Sequence, residues 1–240
     1  MWTRAALAEH LAALGLVPGD AVLVHAGLRS VGPILGGPDT LIDALRDAVG
    51  PEGTILGYCD WNYDDRDLFD ADMRVHVPPF DPARSRATRD NGAFPELLRT
   101  TPGARRSGNP GASMAALGGN AAWFTADHAL DYGYGPQSPL GKLVADSGKV
   151  LMLGAPLDTM TLLHHAEHLA DIPNKRLRRY QAPILVDGQK VWRDFEEIVE
   201  DFLATGQGRR GLIGHAPSVL VDAPAVVAFA VDWLEARCRV

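Results

Sequence analysis

Short runs of consecutive apolar residues alternate with amphipathic segments along most of this chain. Three such runs cover residues 21–25, 53–58 and 150–153. A segment with helical spacing of apolar residues precedes the first run, with Thr3 placed to cap the helix and Gly15 to end it. Strands that are apolar at every position are buried on both faces, as in sheets covered by helices. The alternation therefore predicts an α/β layered fold.

The remaining elements follow from the same patterns. Apolar spacing predicts a helix at 38–49, and a strand is expected at 112–117. Asp187 and Gly188 lie between two short apolar runs, which is a strong hairpin signal. No internal repeat or low-complexity linker is present, and 240 residues suit one packed core. We expect a single domain spanning residues 1–240. Further helices are predicted at 92–99, 120–125, 140–145, 195–203 and 224–237.

Net charge and cysteine content limit what the chain can bind. A formal net charge of -7 argues against nucleic acid as a partner, because phosphate binding requires a basic face. The charge suits a cationic ligand, although solubility alone explains a similar balance in many enzymes. Cys59 and Cys238 are far apart and form no C-x-x-C motif, which argues against a disulfide framework and a cysteine-rich zinc site.

The sequence indicates a cytoplasmic protein. Its first residues have the pattern of an amphipathic helix and lack the features of a signal peptide. The longest apolar run, residues 223–233, contains Pro224 and Asp232 and is too short to cross a bilayer.

Residues 59–90 show no clear periodicity, and a connection this long in a compact domain is usually functional or disordered. Residues 60–72 contain six aspartates among aromatic side chains. The segment opens like a calcium loop, but Asp65 occupies the sixth position, where glycine is needed, and Ala71 the twelfth, where glutamate is needed. Two interpretations remain: a solvated acidic loop, or an anionic pocket with aromatic walls for a polycation.

A glycine-rich turn lies between the first strand and the second helix. Gly32, Gly36 and Gly37 would allow a phosphate to approach backbone N–H groups at the helix N-terminus. The turn lacks Gly-Lys-Ser/Thr and the spacing of the dinucleotide fingerprint, so a plain tight turn explains it equally well. Arg29 and Ser30 add donors suited to a phosphorylated cofactor.

Residues 161–168 contain three histidines and a glutamate. On a helix, Thr161, His164, Glu167 and His168 share one polar face. This face can supply a base whose tautomer is held by the carboxylate. The string H-x-x-E-H also matches inverted zinc peptidases, but such a site needs a third protein ligand. A surface helix with solvated histidines is the third interpretation, and the apolar residues at its start argue against it. The downstream candidates for a third zinc ligand are Glu196, Glu197 and Glu200.

Several motifs in a fixed order resemble the aminoglycoside 3-N-acetyltransferase family, which is unrelated in fold to the GNAT acyltransferases. Residues 24–32 read VHAGLRSVG where the family has VHSSLRSVG, and residues 78–83 read PPFDPA as in the family. The GARRS and ASM motifs fall within 103–114. Residues 153–167 are similar to LGAPLxxxTxLHxAE, and DIPNKR follows at 171–176. The resemblance covers nearly the whole chain.

The chain departs from the family pattern at two places. Asn109 stands where the family usually has histidine in Ser-x-His-Pro, so the role of that histidine is lost or moved to Asn109. Ala26 and Gly27 stand where two serines are typical, which removes hydroxyls beside the cofactor loop. The acidic loop varies within the family, so the accepted drugs do not follow from the resemblance.

The resemblance implies a fold and an activity. The fold is a single-domain α/β layered structure with a central mixed β-sheet flanked by helices. The activity is the acetyl-CoA-dependent acetylation of the 3-amino group of 2-deoxystreptamine aminoglycosides, which confers antibiotic resistance. The transfer is direct and uses no metal. The expected partners are acetyl-CoA and a cationic drug, without nucleic acid or membrane, and the protein is expected to be a monomer or homodimer.

We hypothesise roles for individual residues in this reaction. His164 is expected to take the proton from the attacking amine, and Glu167 to orient its ring, with His25 in the same crevice. The backbone N–H groups around Ser30 and Val31 are expected to stabilise the oxyanion. The expected coenzyme contacts are Arg29, Ser30, Val31, Gly32, Gly36, Gly37, Ser107 and Ser138. The drug is expected against Asp60, Asp64, Asp67 and Asp72, with Trp61 and Tyr63 covering its rings.

Two other functions remain open at this point. One is a zinc-dependent hydrolase that uses His164, Glu167 and His168. The other is a non-enzymatic acidic protein that sequesters a cationic small molecule.

Overall fold

The computed structural model describes residues 1–61, 76–172, 175, 185–186, 189–190 and 195–238. Its strands are β1 (Ala21–Ala26), β2 (Thr54–Tyr58), β3 (Arg105–Arg106), β4 (Met114–Gly118), β5 (Lys149–Leu153), β6 (Leu185–Val186), β7 (Gln189–Lys190), β8 (Arg209–Ile213) and β9 (Ala216–Asp222). Its α-helices are α1 (Arg4–Leu14), α2 (Pro38–Val49), α3 (Phe94–Thr100), α4 (Ala121–Thr125), α5 (Pro139–Ala145), α6 (Leu163–Leu169), α7 (Phe195–Ala204) and α8 (Ala223–Cys238). Short 3₁₀ helices cover Leu28–Val31 and Leu157–Thr159. Within these residues no helix has the length and apolar character needed to cross a membrane.

Seven of the strands form one mixed sheet in the order β3-β4-β2-β1-β5-β9-β8, while β6 pairs with β7 separately. At its centre, β1 runs parallel to both of its neighbours, β2 and β5. Antiparallel strands extend the sheet on either side of this parallel core. The chain passes from β1 to β2 on one side and reaches β5 on the other. In α/β sheets, ligands bind at the carboxyl ends of the strands where the order reverses in this way.

Successive residues of β1 point into two different hydrophobic cores. Val22 and Val24 join a cluster that contains side chains of α1, α2 and α3. Leu23 joins a second cluster, on the other face of the sheet, that contains side chains of α4 to α8. In β5, Leu151 joins the first cluster and Val150 joins the second. Both sheet faces are therefore covered by helices, which explains the unbroken apolar runs and confirms the predicted α/β layers.

The local signals at several elements agree with the structure. The hydroxyl of Thr3 accepts a hydrogen bond from the N–H of Ala6 at 3.3 Å, and α1 ends at Gly15 with a φ of +117°. Leu185–Val186 pairs antiparallel with Gln189–Lys190, which confirms the predicted pairing. The turn residues Asp187 and Gly188 lie outside the described residues.

The sequence patterns missed the hairpin of β8 and β9. Arg209 and Arg210 begin β8 and are exposed at the edge of the sheet, so no long apolar run marks this strand. Pro217 lies within β9, and proline argues against a strand paired on both sides. Gly214 and His215 connect the two strands without the Asn-Gly or Asp-Gly signature of a tight hairpin turn.

The exit from β5 packs closely against the turn that follows β1. Gly154 has a φ of +57°, a left-handed conformation that favours glycine. A Cβ atom at this position would lie 1.8 Å from Oγ of Ser30 and 3.0 Å from Cβ of Ala216. The hydroxyl of Ser30 donates to the carbonyl of Gly27 at 2.6 Å, which fixes its position. The absence of a side chain at Gly154 thus lets the ends of β1 and β5 approach one another.

We expect Gly154→Ala to lower the free energy of unfolding by about 2–4 kcal/mol, because it combines a left-handed φ with a steric clash. Gly206→Ala is the matched control, since Gly206 has a φ of +81° and no atom within 4 Å of the added Cβ. The control should lose only about 1 kcal/mol. Urea unfolding of both variants measures the difference, and equal losses would contradict the steric role of Gly154.

Candidate active site

Two clefts open at the carboxyl ends of the parallel strands. The first, here called the histidine cleft, has a volume of about 850 Å³. The second, the arginine cleft, has a volume of about 1220 Å³. They meet at a junction formed by Ala26, Gly27 and Gly92, which line both. The histidine cleft is also lined by His25, Tyr58, Asp90, Asp158, Thr161, His164, Phe195 and Glu196. The arginine cleft is also lined by Arg29, Ser30, Arg86, Arg89, Glu96 and Gly154.

The imidazole of His164 is held in one orientation beside the histidine cleft. Its Nδ1 lies 2.8 Å from Oε2 of Glu167, one turn later on α6, and this carboxylate is fully buried. The ring also packs against Tyr134 and Phe195, each with a centroid distance of 5.0 Å. When Nδ1–H donates to the carboxylate, Nε2 carries the lone pair and can accept a proton. The arrangement is that of a base with an orienting carboxylate.

His25 lies near the end of β1 and lines the same cleft. Its Nε2 lies 3.1 Å from Oγ1 of Thr161. Burial lowers the pKa of His25 to about 4, so its ring is neutral at pH 7. A neutral ring can exchange hydrogen bonds with Thr161 but carries no positive charge. The structure thus brings His25, Thr161 and His164 to one cleft.

The other two histidines of α6 face the protein interior. His165 Nδ1 donates to the backbone carbonyl of Tyr134 at 2.7 Å. The ring of His168 lies near Tyr132 and Tyr134, with centroid distances of 5.1 and 5.8 Å. Burial, assisted by the neighbouring His164, lowers the pKa of His168 to about 4. The predicted polar stripe therefore does not extend to His168, which does not line the histidine cleft.

The geometry of the described residues does not support a zinc site. Among them, no group of three His, Cys, Asp or Glu side chains is arranged to hold a metal ion. Two of the candidate third ligands have other partners, since Glu197 binds Arg237 and Glu200 binds Arg210. Glu196 lies in the histidine cleft but forms no such group with His164.

The turn after β1 differs from the predicted phosphate loop. Arg29 and Ser30 line the arginine cleft, but the N–H of Ser30 donates to the carbonyl of Gly27 at 2.9 Å and is not free for an oxyanion. The side chain of Val31 is fully buried in the core. The remaining loop glycines lie outside both clefts, and their coenzyme contacts stay a prediction. These glycines are Gly32, Gly36 and Gly37.

Two predicted coenzyme ligands have structural roles instead. The hydroxyl of Ser107 is buried, accepts from the N–H of Met114 at 2.9 Å and bonds to Nδ1 of His128 at 2.8 Å. The hydroxyl of Ser138 is also buried and caps α5 by accepting from the N–H of Gly141 at 3.2 Å. Neither serine lines the histidine cleft or the arginine cleft, and a coenzyme contact for either stays a prediction.

Asn109, which replaces the family histidine, organises a buried turn. Its Oδ1 accepts from the N–H groups of Gly111 and Ala112 at 3.0 and 2.9 Å. Its Nδ2 donates to the carbonyl of Ala129 at 2.6 Å. Both ends of the amide are therefore used inside the fold, and Asn109 lines neither cleft.

Of the acidic loop predicted at about 59–90, residues 59–61 and 76–90 lie within the described residues. Asp60 accepts a hydrogen bond from the side chain of Asn91, and the ring of Trp61 lies 5.7 Å from that of Phe80. Asp60 thereby anchors Asn91, which lines the histidine cleft. The other predicted drug contacts lie outside the described residues: Tyr63, Asp64, Asp67 and Asp72.

The sequence reasoning missed two acidic residues and two arginines that line the clefts, and it named the third acidic residue, Glu196, only as a candidate zinc ligand. The carboxylates Asp90, Asp158 and Glu196 surround the histidine cleft. Arg86 and Arg89 stand on the wall of the arginine cleft. The spacing of these two arginines, shortly after the PPFDPA motif, was the signal available in the sequence.

The half-buried carboxylate of Glu96 fixes that arginine-bearing wall. Burial alone would raise the pKa of Glu96, but hydrogen bonds from Arg99, Arg86 and the N–H of Ala87 lower it to about 2. The charged carboxylate therefore holds both Arg86 and Ala87 against α3.

Nearby, burial raises the pKa of Cys59 to about 11, so this thiol stays protonated and is a poor nucleophile.

Comparison with known proteins identifies the family. Residues 23–235 match the family model described as "Aminoglycoside 3-N-acetyltransferase". The chain belongs to this family. It is 48% identical to aminoglycoside N(3)-acetyltransferase III of Pseudomonas aeruginosa, over 98% of this chain and 94% of the relative. It is 46% identical to aminoglycoside N(3)-acetyltransferase VII of Streptomyces paromomycinus, over 98% and 92%.

Solved structures of this family share the fold. The structure of AAC-IIIb in binary complex with CoASH is 59% identical, with a TM-score of 0.92 over 99% of this chain and 97% of that one. The structure of AAC-VIa bound to sisomicin is 39% identical, with a TM-score of 0.90 over 100% and 99%. These matches confirm the mixed-sheet architecture.

We expect stability to fall as the pH is lowered from about 6.5 to 4. Burial lowers the pKa of His25, His128 and His168 from 6.5 to about 4, so within this window the unfolded chain binds protons that the folded chain does not. Stability therefore rises with pH through the window and levels off above it. Urea unfolding at several pH values measures the slope.

A single variant tests this origin of the pH dependence. His168→Phe keeps a ring between Tyr132 and Tyr134 and removes one titrating group, so unfolding should take up about one proton fewer. His215→Gln, at an exposed position, is the control. A slope unchanged by His168→Phe would contradict the assignment.

Proposed function

We propose that this protein transfers an acetyl group from acetyl-CoA to the 3-amino group of 2-deoxystreptamine aminoglycosides, and that it thereby inactivates these antibiotics. One observation carries the proposal: an acidic cleft and a basic cleft meet at three small residues, beside a histidine whose Nδ1 is held by a buried carboxylate. The relatives in the family are named for this activity.

The arginine cleft has the chemistry to bind coenzyme A. Its described lining includes three arginines, Arg29, Arg86 and Arg89, and one carboxylate, that of Glu96. Glu96 forms ion pairs with Arg86 and Arg99. Guanidinium groups bind phosphate oxygens through paired N–H donors, and the coenzyme carries a pyrophosphate and a further phosphate. A thioester at the other end of the coenzyme would then lie near the junction of the clefts.

The histidine cleft has the chemistry to bind a polycationic drug. Asp90, Asp158 and Glu196 supply negative charge, and Tyr58 and Phe195 supply aromatic surface. We further propose that residues of the acidic loop, including Asp60, Trp61, Tyr63, Asp64, Asp67 and Asp72, extend this binding surface. A cytoplasmic location, a single domain and a monomeric or homodimeric state stay predictions.

His164 serves as the base in a direct transfer. The drug amine attacks the thioester carbonyl carbon while Nε2 of His164 takes a proton from its nitrogen. The carbon–sulfur bond then breaks, and the imidazolium returns this proton to the departing thiolate. Glu167 stabilises the imidazolium between these steps and keeps the ring in one tautomer. The protonated, buried thiol of Cys59 fits a mechanism without a covalent enzyme intermediate.

The activity is tested by thiol release from acetyl-CoA with a panel of aminoglycosides that carry or lack a free 3-amino group. Turnover should require that amine, and the product should be acetylated on it. Equal turnover with drugs that lack the 3-amino group would overturn the regiochemistry. Drug binding without any thiol release would instead support the non-enzymatic interpretation.

Two variants separate the base from the binding surface. We expect His164→Ala to lower kcat by about 10²–10⁴ with little change in drug affinity, because it removes the proton acceptor. Asp158→Asn should mainly raise KM for the drug and leave KM for acetyl-CoA unchanged, because it removes one charge from the histidine cleft. Steady-state kinetics and drug-binding calorimetry measure both, and full activity of His164→Ala would exclude it as the base.

A further inference from the structure

Tyr134 contacts all three histidines of α6. Its ring packs on His164 with a centroid distance of 5.0 Å and an interplanar angle of 33°. Its backbone carbonyl accepts from His165 at 2.7 Å, and its ring meets His168 in a T-shaped contact at 5.8 Å. The residue is almost fully buried and does not line either cleft. It therefore supports the histidine helix from behind the site.

The other end of Tyr134 is fixed through the wall of the histidine cleft. Its hydroxyl lies 2.6 Å from that of Tyr58, whose own hydroxyl donates to the carbonyl of Gly111 at 3.0 Å. Because the Tyr58 proton is used in that bond, the hydroxyl of Tyr134 is the donor to Tyr58. Tyr58 ends β2 and lines the cleft. Tyr134 thus connects the carboxyl end of β2 to the imidazole of His164.

The chain around Tyr134 is shaped for this position. A Cβ atom on Gly133 would lie 2.8 Å from Cβ of Ala112, and one on Gly135 would lie 2.3 Å from the ring of Tyr132. Glycines on both sides of Tyr134 let the segment pack tightly against its neighbours. The phenol is therefore held by the backbone as well as by its hydroxyl.

We propose that Tyr134 is a positioning residue for the transfer: its ring holds the His164 imidazole in the plane from which Nε2 reaches the amine, and its face stabilises the imidazolium that forms there. This inference rests on the proposed function. Glu167 fixes Nδ1, but one hydrogen bond leaves the ring free to rotate about it. Packing against Tyr134 and Phe195 removes that freedom.

The ring face also acts on charge. An aromatic face attracts a cation within about 6 Å of its centroid, and more strongly where water is excluded. Several other groups act on the same imidazole. The phenols of Tyr58 and Tyr134 lie near this ring. On its own helix, the other titratable groups described near His164 are Glu167 and His168. From other elements, the histidine cleft adds His25, Asp90, Asp158 and Glu196. The two neighbouring histidines are neutral at pH 7 and do not oppose a charge on His164, whereas Glu167 and the cleft carboxylates favour that charge together with the ring face of Tyr134.

The test compares Tyr134→Leu with Tyr134→Phe. Tyr134→Leu removes the ring, and we expect kcat to fall about tenfold with KM for drug and acetyl-CoA nearly unchanged. The acid limb of the pH profile of kcat/KM should move to lower pH by about 0.5–1 unit, because the charged form of the base loses stabilisation. Tyr134→Phe keeps the ring and should restore the profile and kcat to within about threefold of wild type.

Tyr132→Leu is the matched control. Tyr132 lies two residues away and packs on His168, so its loss should leave the pH profile unchanged. If Tyr134→Leu does not fold, pentafluorophenylalanine at position 134 keeps the shape and reverses the charge distribution of the ring, and it should move the acid limb in the same direction. An unmoved acid limb in a folded variant that lacks the electron-rich ring, or equal losses in Tyr134→Phe and Tyr134→Leu, would overturn the proposal.

A readout independent of turnover separates this proposal from the proposed function. NMR of protein labelled at the histidine rings follows His164 directly, with its signal assigned by its loss in His164→Gln. The titration midpoint of that signal should be lower in Tyr134→Leu than in wild type, and an unchanged midpoint would overturn the proposal. Absence of turnover in the wild-type enzyme would overturn the proposed function and leave this result standing.

Discussion

The parallel pairing of β1 with both β2 and β5 is the constraint on which the site depends. Parallel strands end at the same edge of a sheet, so this pairing brings His25, Tyr58 and Gly154 together although they are far apart in sequence. The antiparallel strands outside this core extend the sheet without contributing to the junction of the clefts. Had β5 run antiparallel to β1, the histidine helix would begin at the opposite edge.

Burial of ionisable groups gives this edge its chemistry. Glu167 is fully buried and hydrogen-bonds to the imidazole of His164 at 2.8 Å, while burial keeps the neighbouring His25 neutral at pH 7. A buried carboxylate is costly unless it is paired, and His164 pays part of that cost when it becomes protonated. In the proposed mechanism, the pair is therefore most favourable when His164 has taken the proton from the amine.

The sequence predicted the elements whose causes are local. Apolar runs, the Thr3 cap and the glycine that ends α1 all act within a few residues, and each was found where expected. The spacing of His164 and Glu167 also predicted their contact, because one helical turn determines it. The edge strand β8 was not predicted, because it begins with two arginines and only its pairing with β9 identifies it as a strand.

Residues whose roles depend on distant partners could not be predicted. Ser107 and Ser138 are small polar residues that suit a ligand, but their hydroxyls cap backbone groups inside the fold. Tyr134 shows no motif of its own, and its contacts with α6 arise only when a loop packs against a helix about 30 residues later. Asp158 and Glu196 reach the same cleft from separate elements.

The separation of the two clefts bears on how such a protein changes under selection. Among the described residues, those that line the histidine cleft and those that line the arginine cleft share only Ala26, Gly27 and Gly92. A substitution that reshapes the acidic wall therefore leaves the basic wall as it was. Under the proposed function, single substitutions of acidic residues in the histidine cleft would change which drugs are accepted, while the arginines proposed to bind the coenzyme stay the same.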